Sequence, residues 1–359
     1  MKNKMNHIAN MGMLLGITAI TVFSASGKPR HGGGGSGLPY YPIASTVSQL
    51  IADINYANSV GGAITVKLAP GATFVLTSAN NTTDGGNGLP VIGGTKAVAL
   101  TIIGNGDTIE RINVIDRKSG NLTNPFRLFE VAPGASLTLD HVTLQGGRGA
   151  IFNQGTLNVI NGSTLSGNAG GGAIANAGGT VTVSNSTLSG NGSNFGGGIN
   201  NAGGTVTVSY STLSDNTAGN GGGIFNNGGT VTVSNSTLSG NGSGFGGGIY
   251  NDSNGTVTVD TSTLTNNEAS FFIYSGFGGD GGAIYNSAGT VTVSNSSLSG
   301  NVADLSGGGI YNNVGTVTVE NASSITGNLW TEDVDNLSAL YLDSTSTIGN
   351  LEGNSAVPF

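Results

Sequence analysis

The sequence predicts an all-β chain wound into a right-handed parallel β-helix. This is a solenoid of three short strands per ~25-residue coil, closed at its start by a short capping helix. Three observations carry that prediction. The first is a period: the isoleucines that follow glycine-rich turns fall at Ile151, Ile174, Ile199, Ile224, Ile249, Ile284 and Ile310, in steps of 23, 25, 25, 25, 35 and 26 residues. A repeat of that length marks a stack of units that bury their apolar faces against one another. The second is alternation. In T-V-T-V segments such as Thr180–Val183, period-two patterning puts Val181 and Val183 on one face and the threonines on the other.

The third is asparagine. Two residues after each anchoring isoleucine stands Asn153, Asn176, Asn201, Asn226, Asn251, Asn286 or Asn312. Three residues after each third-strand Leu or Ile stands Asn168, Asn191, Asn216, Asn241, Asn267, Asn301 or Asn328. Equivalent residues in stacked coils lie about 4.8 Å apart, close enough for side-chain amides to bond in a column. Asn also tolerates the left-handed backbone of tight corners, a second reason to expect it there. Strand crossovers favour the right-handed coil.

Taken in order, residues 1–27 read as a signal peptide: Lys2 and Lys4, the apolar run Met11–Phe23, then small residues. Residues 28–44 read as a flexible glycine-rich leader. Residues 45–148 hold the capping helix and irregular early coils. Within them, Leu50, Ile51, Ile54 and Ala57 have helical spacing behind a Ser/Thr cap. Segments 61–78, 97–112 and 126–147 alternate as strands. Residues 149–330 form the regular coils, and the 35-residue step implies a loop protruding over 266–280. Residues 331–359 are expected to add one or two strands and a cap. Ten or eleven coils would make a rod on the order of 50 Å long.

Charge narrows the function. All eleven Lys and Arg lie at or before Arg148, and twelve of the nineteen acids follow it, so residues 149–359 carry a net −12. Such a surface excludes nucleic acid as a partner and repels polyanions. The chain has no Cys, which excludes disulfides and thiolate metal sites. After the leader no segment reads as a membrane-spanning helix, and no cofactor is implied. TEDVDN (Thr331–Asn336) can be read as a weak calcium loop or as solvated acids of a cap. The mixed cluster Asp107, Glu110, Arg111, Asp116, Arg117, Arg127, Glu130, Asp140, His141 and Arg148 can be read as a catalytic centre or as charges on irregular coils.

Two outward columns are the candidate sites. The residue after the anchoring isoleucine is Phe225, Tyr250, Tyr285 and Tyr311 on four consecutive coils; these rings either bind a ligand or stack and stiffen the rod. The T-x-T pairs, from Thr180/Thr182 to Thr316/Thr318, form a second, flat array.

GGAI or GGGI followed by L-x-x-N, as in Leu188–Asn191, resembles the right-handed parallel β-helix repeats of bacterial surface proteins, which share the pectin-lyase-like fold. The polymorphic outer-membrane-protein repeat, which pairs GGAI with F-x-x-N, is especially similar, with Leu here in the Phe position. Gln49–Gly71 also looks like the opening of large secreted bacterial β-helix proteins. The likeness covers about residues 45–330. Many of its members are autotransporters, yet nothing after the repeats here reads as a membrane barrel. The resemblance implies a secreted or cell-surface scaffold, outer-membrane associated in some relatives. Its scaffolds serve enzymes and adhesins alike. The reading adopted is a non-catalytic, adhesin-like scaffold whose partner is an extracellular glycan or surface protein. A glycan-cleaving lyase or hydrolase, and an ice-binding protein using the T-x-T array, are the alternatives.

Overall fold

The computed structural model describes residues 42–112, 125–270, 278–329 and 331–359. The expected signal peptide (1–27), most of the leader, Asp116 and Arg117, and most of the insertion (271–277) lie outside the described residues. The rest is a parallel β-helix: its strands pair in parallel with their counterparts in neighbouring coils.

One coil shows why. Thr180–Ser184 is a strand because β-branched residues alternate; Val181 and Val183 are fully buried while Thr180 is exposed. Ile174 in strand Ile174–Ala177 and Leu188 in strand Thr187–Ser189 complete the coil's core, again fully buried. Each such aliphatic side chain contributes about 1.5–3 kcal/mol through burial. The next coil repeats the set one rung on, with Ile174 beside Ile199, Val181 beside Val206 and Leu188 beside Leu213.

In five coils a fourth short strand joins: Gly192–Phe195, Thr217–Asn220, Gly242–Phe245, Glu268–Ala269 and Val302–Ala303. Alternation does not reveal it, because these segments are rich in Gly, Ser and Asn and carry little apolar rhythm. The insertion interrupts this same column between Ala269 and Asp280, after which Asp280 bridges Phe245 and Ser306.

The helix spans Val47–Val60, with the Thr46 side chain accepting from the Gln49 amide at 3.2 Å and Gly61 closing it at φ 72°. Leu50, Ile54 and Ala57 are buried against the first coils, whereas Ile51 is only half-buried. Two boundaries differ from expectation. Ile43–Ala44, placed in the leader, pairs with Lys67–Leu68 and starts the stack. Residues 331–359, expected to hold one or two strands and a cap, contain five short strands that extend the coils.

Both asparagine columns form. From Asn153 to Asn336, each Nδ2 donates to the Oδ1 of the next rung at 2.7–3.0 Å. From Asn168 to Asn328 the distances are 2.9–3.0 Å. These amides are buried, save Asn328 at the far end. The corner role is different from the one expected. No ladder asparagine is left-handed; that conformation falls on Asn185, Tyr210, Asn235, Thr261, Asn295 and Asn321, one per coil after the second strand. Corner and ladder are therefore separate jobs, because a ladder side chain must point inward while a left-handed corner residue can stay exposed. Glycine before each T-V-T-V serves the ladder: a Cβ at Gly204 would overlap Asn176 Nδ2 and the Gly179 carbonyl.

A third column escaped the sequence reading. Ser186, Ser211, Ser236, Ser262 and Ser296 each donate a backbone N–H to the next serine's Oγ at 3.0–3.2 Å. The signal was the Ser that stands before each of these third strands, whether T-L-S, T-L-T or S-L-S.

Asn226→Ala removes a donor to the Gly229 carbonyl and to Asn251, and strips Asn201 of an acceptor. It should cost about 2–4 kcal/mol, read as a lower urea midpoint. Thr207→Ala on the outer face should shift the midpoint by less than about 0.5 kcal/mol equivalent. Equal shifts would show that the ladder does not carry the fold.

Candidate functional site

The residue after each anchoring position forms a continuous outer column. From the strand Phe129–Val131 onward it reads Glu130, Phe152, Ala175, Asn200, Phe225, Tyr250, Tyr285, Tyr311, Asp335 and Glu352, each in register with the next. The four expected rings sit at its centre and stack directly. Phe225–Tyr250, Tyr250–Tyr285 and Tyr285–Tyr311 centroids are 5.3, 4.9 and 5.0 Å apart, at interplanar angles of 29°, 3° and 26°.

The expectation that all four point into solvent holds only in part. Phe225 is 8% exposed, pressed by Phe195 at 5.0 Å, and Tyr250, Tyr285 and Tyr311 are half-buried. The fourth strand explains this, because its terminal Phe195 and Phe245 fold over the column; Phe245 meets Tyr285 edge-on at 5.3 Å. Stacking also covers the ring faces, so what the column offers outward is ring edges and phenolic hydroxyls. Burial raises the pKa of all three tyrosines, with neighbouring phenols adding to it at Tyr285 and nearby carboxylates at Tyr311. These hydroxyls stay protonated and able to donate.

The two ends of the column differ in charge. At the C-terminal end Asp335 and Glu352 continue it, joined by Asp280 and Glu332. Asp335 is buried with one carboxylate oxygen that has no hydrogen-bond partner among the described residues. Burial, and then the charges of Asp335 and Glu332, push the Asp280 carboxyl up to about 6. Asp333, the middle acid of TEDVDN, accepts from the Asn328 backbone and side chain at 2.8 and 2.7 Å and from the Asn350 amide at 3.0 Å, so it terminates the second asparagine ladder. Glu332 accepts from the Gly307 amide at 2.7 Å. Among the described residues no group of three or more acidic or histidine side chains is arranged to hold a metal ion.

At the N-terminal end lies a pocket of about 260 Å³, lined among others by Phe126, Arg127, Arg148, Phe152, Gly171 and Ala175. It divides the early-coil charges. Arg127 lies over the Phe152 ring at 4.6 Å and donates to the Asp84 carbonyl, with Glu130 beside it. Arg111 lies over Phe126 at 5.1 Å. Asp107, Glu110 and Asp140 are engaged elsewhere: Asp107 accepts from the Ala72 and Asn105 amides, Glu110 from Gln145, and Asp140 from Asn161. His141 is an exposed left-handed corner residue. The expected cluster is thus not one centre. Sequence reasoning missed Phe152, Ala175 and Asp335 as members of the column; extending the residue-after-anchor rule three coils back and one coil forward finds them.

A family model described as the right-handed β-helix region matches residues 128–324. The chain belongs to the right-handed β-helix family. The match covers the coils that carry the whole aromatic run, together with Arg148, Phe152 and Ala175 of the pocket, and begins just after Arg127. No curated protein and no solved structure matches the chain. Membership of the right-handed β-helix family accounts for the coils and ladders and assigns no chemistry to the column.

Asp280 supplies a pH test. Its carboxyl in the fold titrates near 6 against an ordinary value of 3.8, so the folded state holds an extra proton between those limits. Stability contributed by this group is therefore lost as pH rises from about 4 to 6. Asp280→Asn should flatten that part of the melting-temperature profile and melt higher than wild type at pH 7. An unchanged profile would contradict the burial-driven shift.

Proposed function

We propose that this right-handed β-helix is a non-catalytic, extracellular or cell-surface scaffold, adhesin-like, that holds an extended glycan or surface protein along its outer column. The observation that carries the reading is the in-register run Phe225–Tyr250–Tyr285–Tyr311, with Phe225 buried and the three tyrosines half-buried on a rigid face. A run of phenolic hydroxyls at rung spacing supports repeated weak contacts with a polymer, and such contacts gain strength together. The bacterial surface-repeat resemblance supports the same location, including association with an outer membrane. Among the described residues no helix is long and apolar enough to cross a membrane.

The non-catalytic part rests on how the acids are used. Hydrolysis by the usual route needs two carboxylates flanking one bond, whereas Asp107, Glu110, Asp140 and Asp333 are committed to amides of the fold. A second reading has an observation of its own. The T-x-T pairs form two threonine columns in register over six rungs, the array an ice-binding face requires. Freezing-point hysteresis that Thr232→Tyr abolishes would favour it.

The test is retention of the full chain on immobilised polysaccharides, with released sugar ends scored in the same run. We expect retention without products, weakened about tenfold or more by the pair Tyr250→Ala and Tyr285→Ala as multivalent contacts are lost. New reducing or unsaturated ends would sink the non-catalytic reading. Retention indifferent to both substitutions would remove the column as the site.

A further inference from the structure

We propose that the pocket at the head of the column is a subsite for a carboxylate-bearing sugar residue, an acidic end group on an otherwise neutral glycan. The inference rests on the extended-binding reading above and names the chemistry at one end of it.

Two features of the chain open the pocket. The column side chain shrinks to a methyl at Ala175, between Phe152 and Asn200. The fourth sheet's first strand is Gly192–Phe195, reached from the coil before only by a single bridge at Ala169, so among the described residues no strand folds over the column at that level. The rows of Phe152 and Asn200 are two rungs apart, about 9.6 Å, which leaves space for one ring. Phe152 is unlike the tyrosines further on. Its neighbour on the next rung is Ala175 rather than another ring, and its one capped face lies under the Arg127 guanidinium. Among the described residues no ring covers its other face, which faces the Ala175 methyl and can take an apolar sugar face. A pocket of about 260 Å³ falls below the usual size for larger ligands, which fits a single ring.

The charge is assigned by elimination among the pocket's own residues. Arg127 is offset by Glu130 and Asp84, both of which raise its pKa against the lowering by burial. Arg148 is exposed, and its guanidinium makes no hydrogen bond or ion pair among the described residues. It is the last cation in the chain. A guanidinium matches a carboxylate with two parallel hydrogen bonds. Backbone at Gly171 and Gly149 lets a ligand approach closely. The rest of the ligand must be neutral, because residues 149–359 carry twelve acids and no cation, and a polyuronate lying along the column would be repelled.

The experiment is titration calorimetry of the full chain with cellobiouronic acid and with cellobiose, which differ in the carboxylate. Arg148→Gln and Ala175→Tyr are the variants; the second places a ring where the preceding coil already carries one, Phe152. Wild type should bind the acid at least tenfold more tightly than cellobiose and lose affinity with added salt. Arg148→Gln should erase the preference, and Ala175→Tyr should abolish binding of both sugars while leaving the melting temperature near wild type. Absence of binding by wild type, equal affinity for the two sugars, or indifference to either variant would overturn the subsite. If retention on polymeric glycan survives such a failure, the extended-binding reading stands and only the subsite falls.

Discussion

The buried amide–amide hydrogen bond between rungs is the interaction on which everything else depends. A three-sided coil this narrow has room for few large side chains, and its core is small aliphatics: Ile174, Val181, Val183 and Leu188, then the same again. Apolar packing of that kind is tolerant of slippage, because one valine fits against another in either register. A buried asparagine is not tolerant, since an amide left without its partner carries the full cost of desolvation. Two columns of them, at opposite turns of the coil, fix both the height and the rotation of each rung against the next. The serine column adds a third point.

Register in the core becomes regularity on the surface. Ile224, Asn226 and the ring between them belong to one strand, so fixing the amide fixes where Phe225 stands. The aromatic stack at about 5 Å and the in-register threonine pairs follow from the ladder rather than from contacts of their own. Departures from regularity then become informative. Ala175 breaks the ring column and a pocket opens; Asp335 ends it and a carboxylate is buried beside others. The chain's charge asymmetry is mapped onto the same line, from Arg127 and Arg148 at one end to Asp280, Asp335 and Glu352 at the other.

The sequence made the periodic part of this legible, and the physics says why. A repeated contact leaves a repeated letter, so the coil length, the inward valines and both asparagine ladders could be read from spacing alone. The helix at Val47–Val60 was equally plain from its cap and its apolar face. What depended on non-repeating contacts was not legible. The fourth strand lacks an apolar rhythm, and its effect on the site, burial of Phe225 beneath Phe195, could not be foreseen from the ring positions. Nor could the division of the early charges, where Arg127 turns to Phe152 while Asp140 turns to Asn161. The left-handed corners were misassigned because Asn serves both jobs, and only Tyr210 and Thr261 at corner positions separate them.

The central claim, that inter-rung amide bonds hold the register, is tested most directly by amide hydrogen exchange on a chain whose ladder is cut once. Asn251→Val keeps the apolar core and removes one link between Asn226 and Asn286. The account predicts faster exchange in the strands Ile224–Asn227 and Ile249–Asp252 and at the start of Ile284–Ser294, with distant coils such as Ile174–Ala177 unchanged. Protection identical to wild type at those three strands would mean that valine packing alone sets the register, and would contradict it.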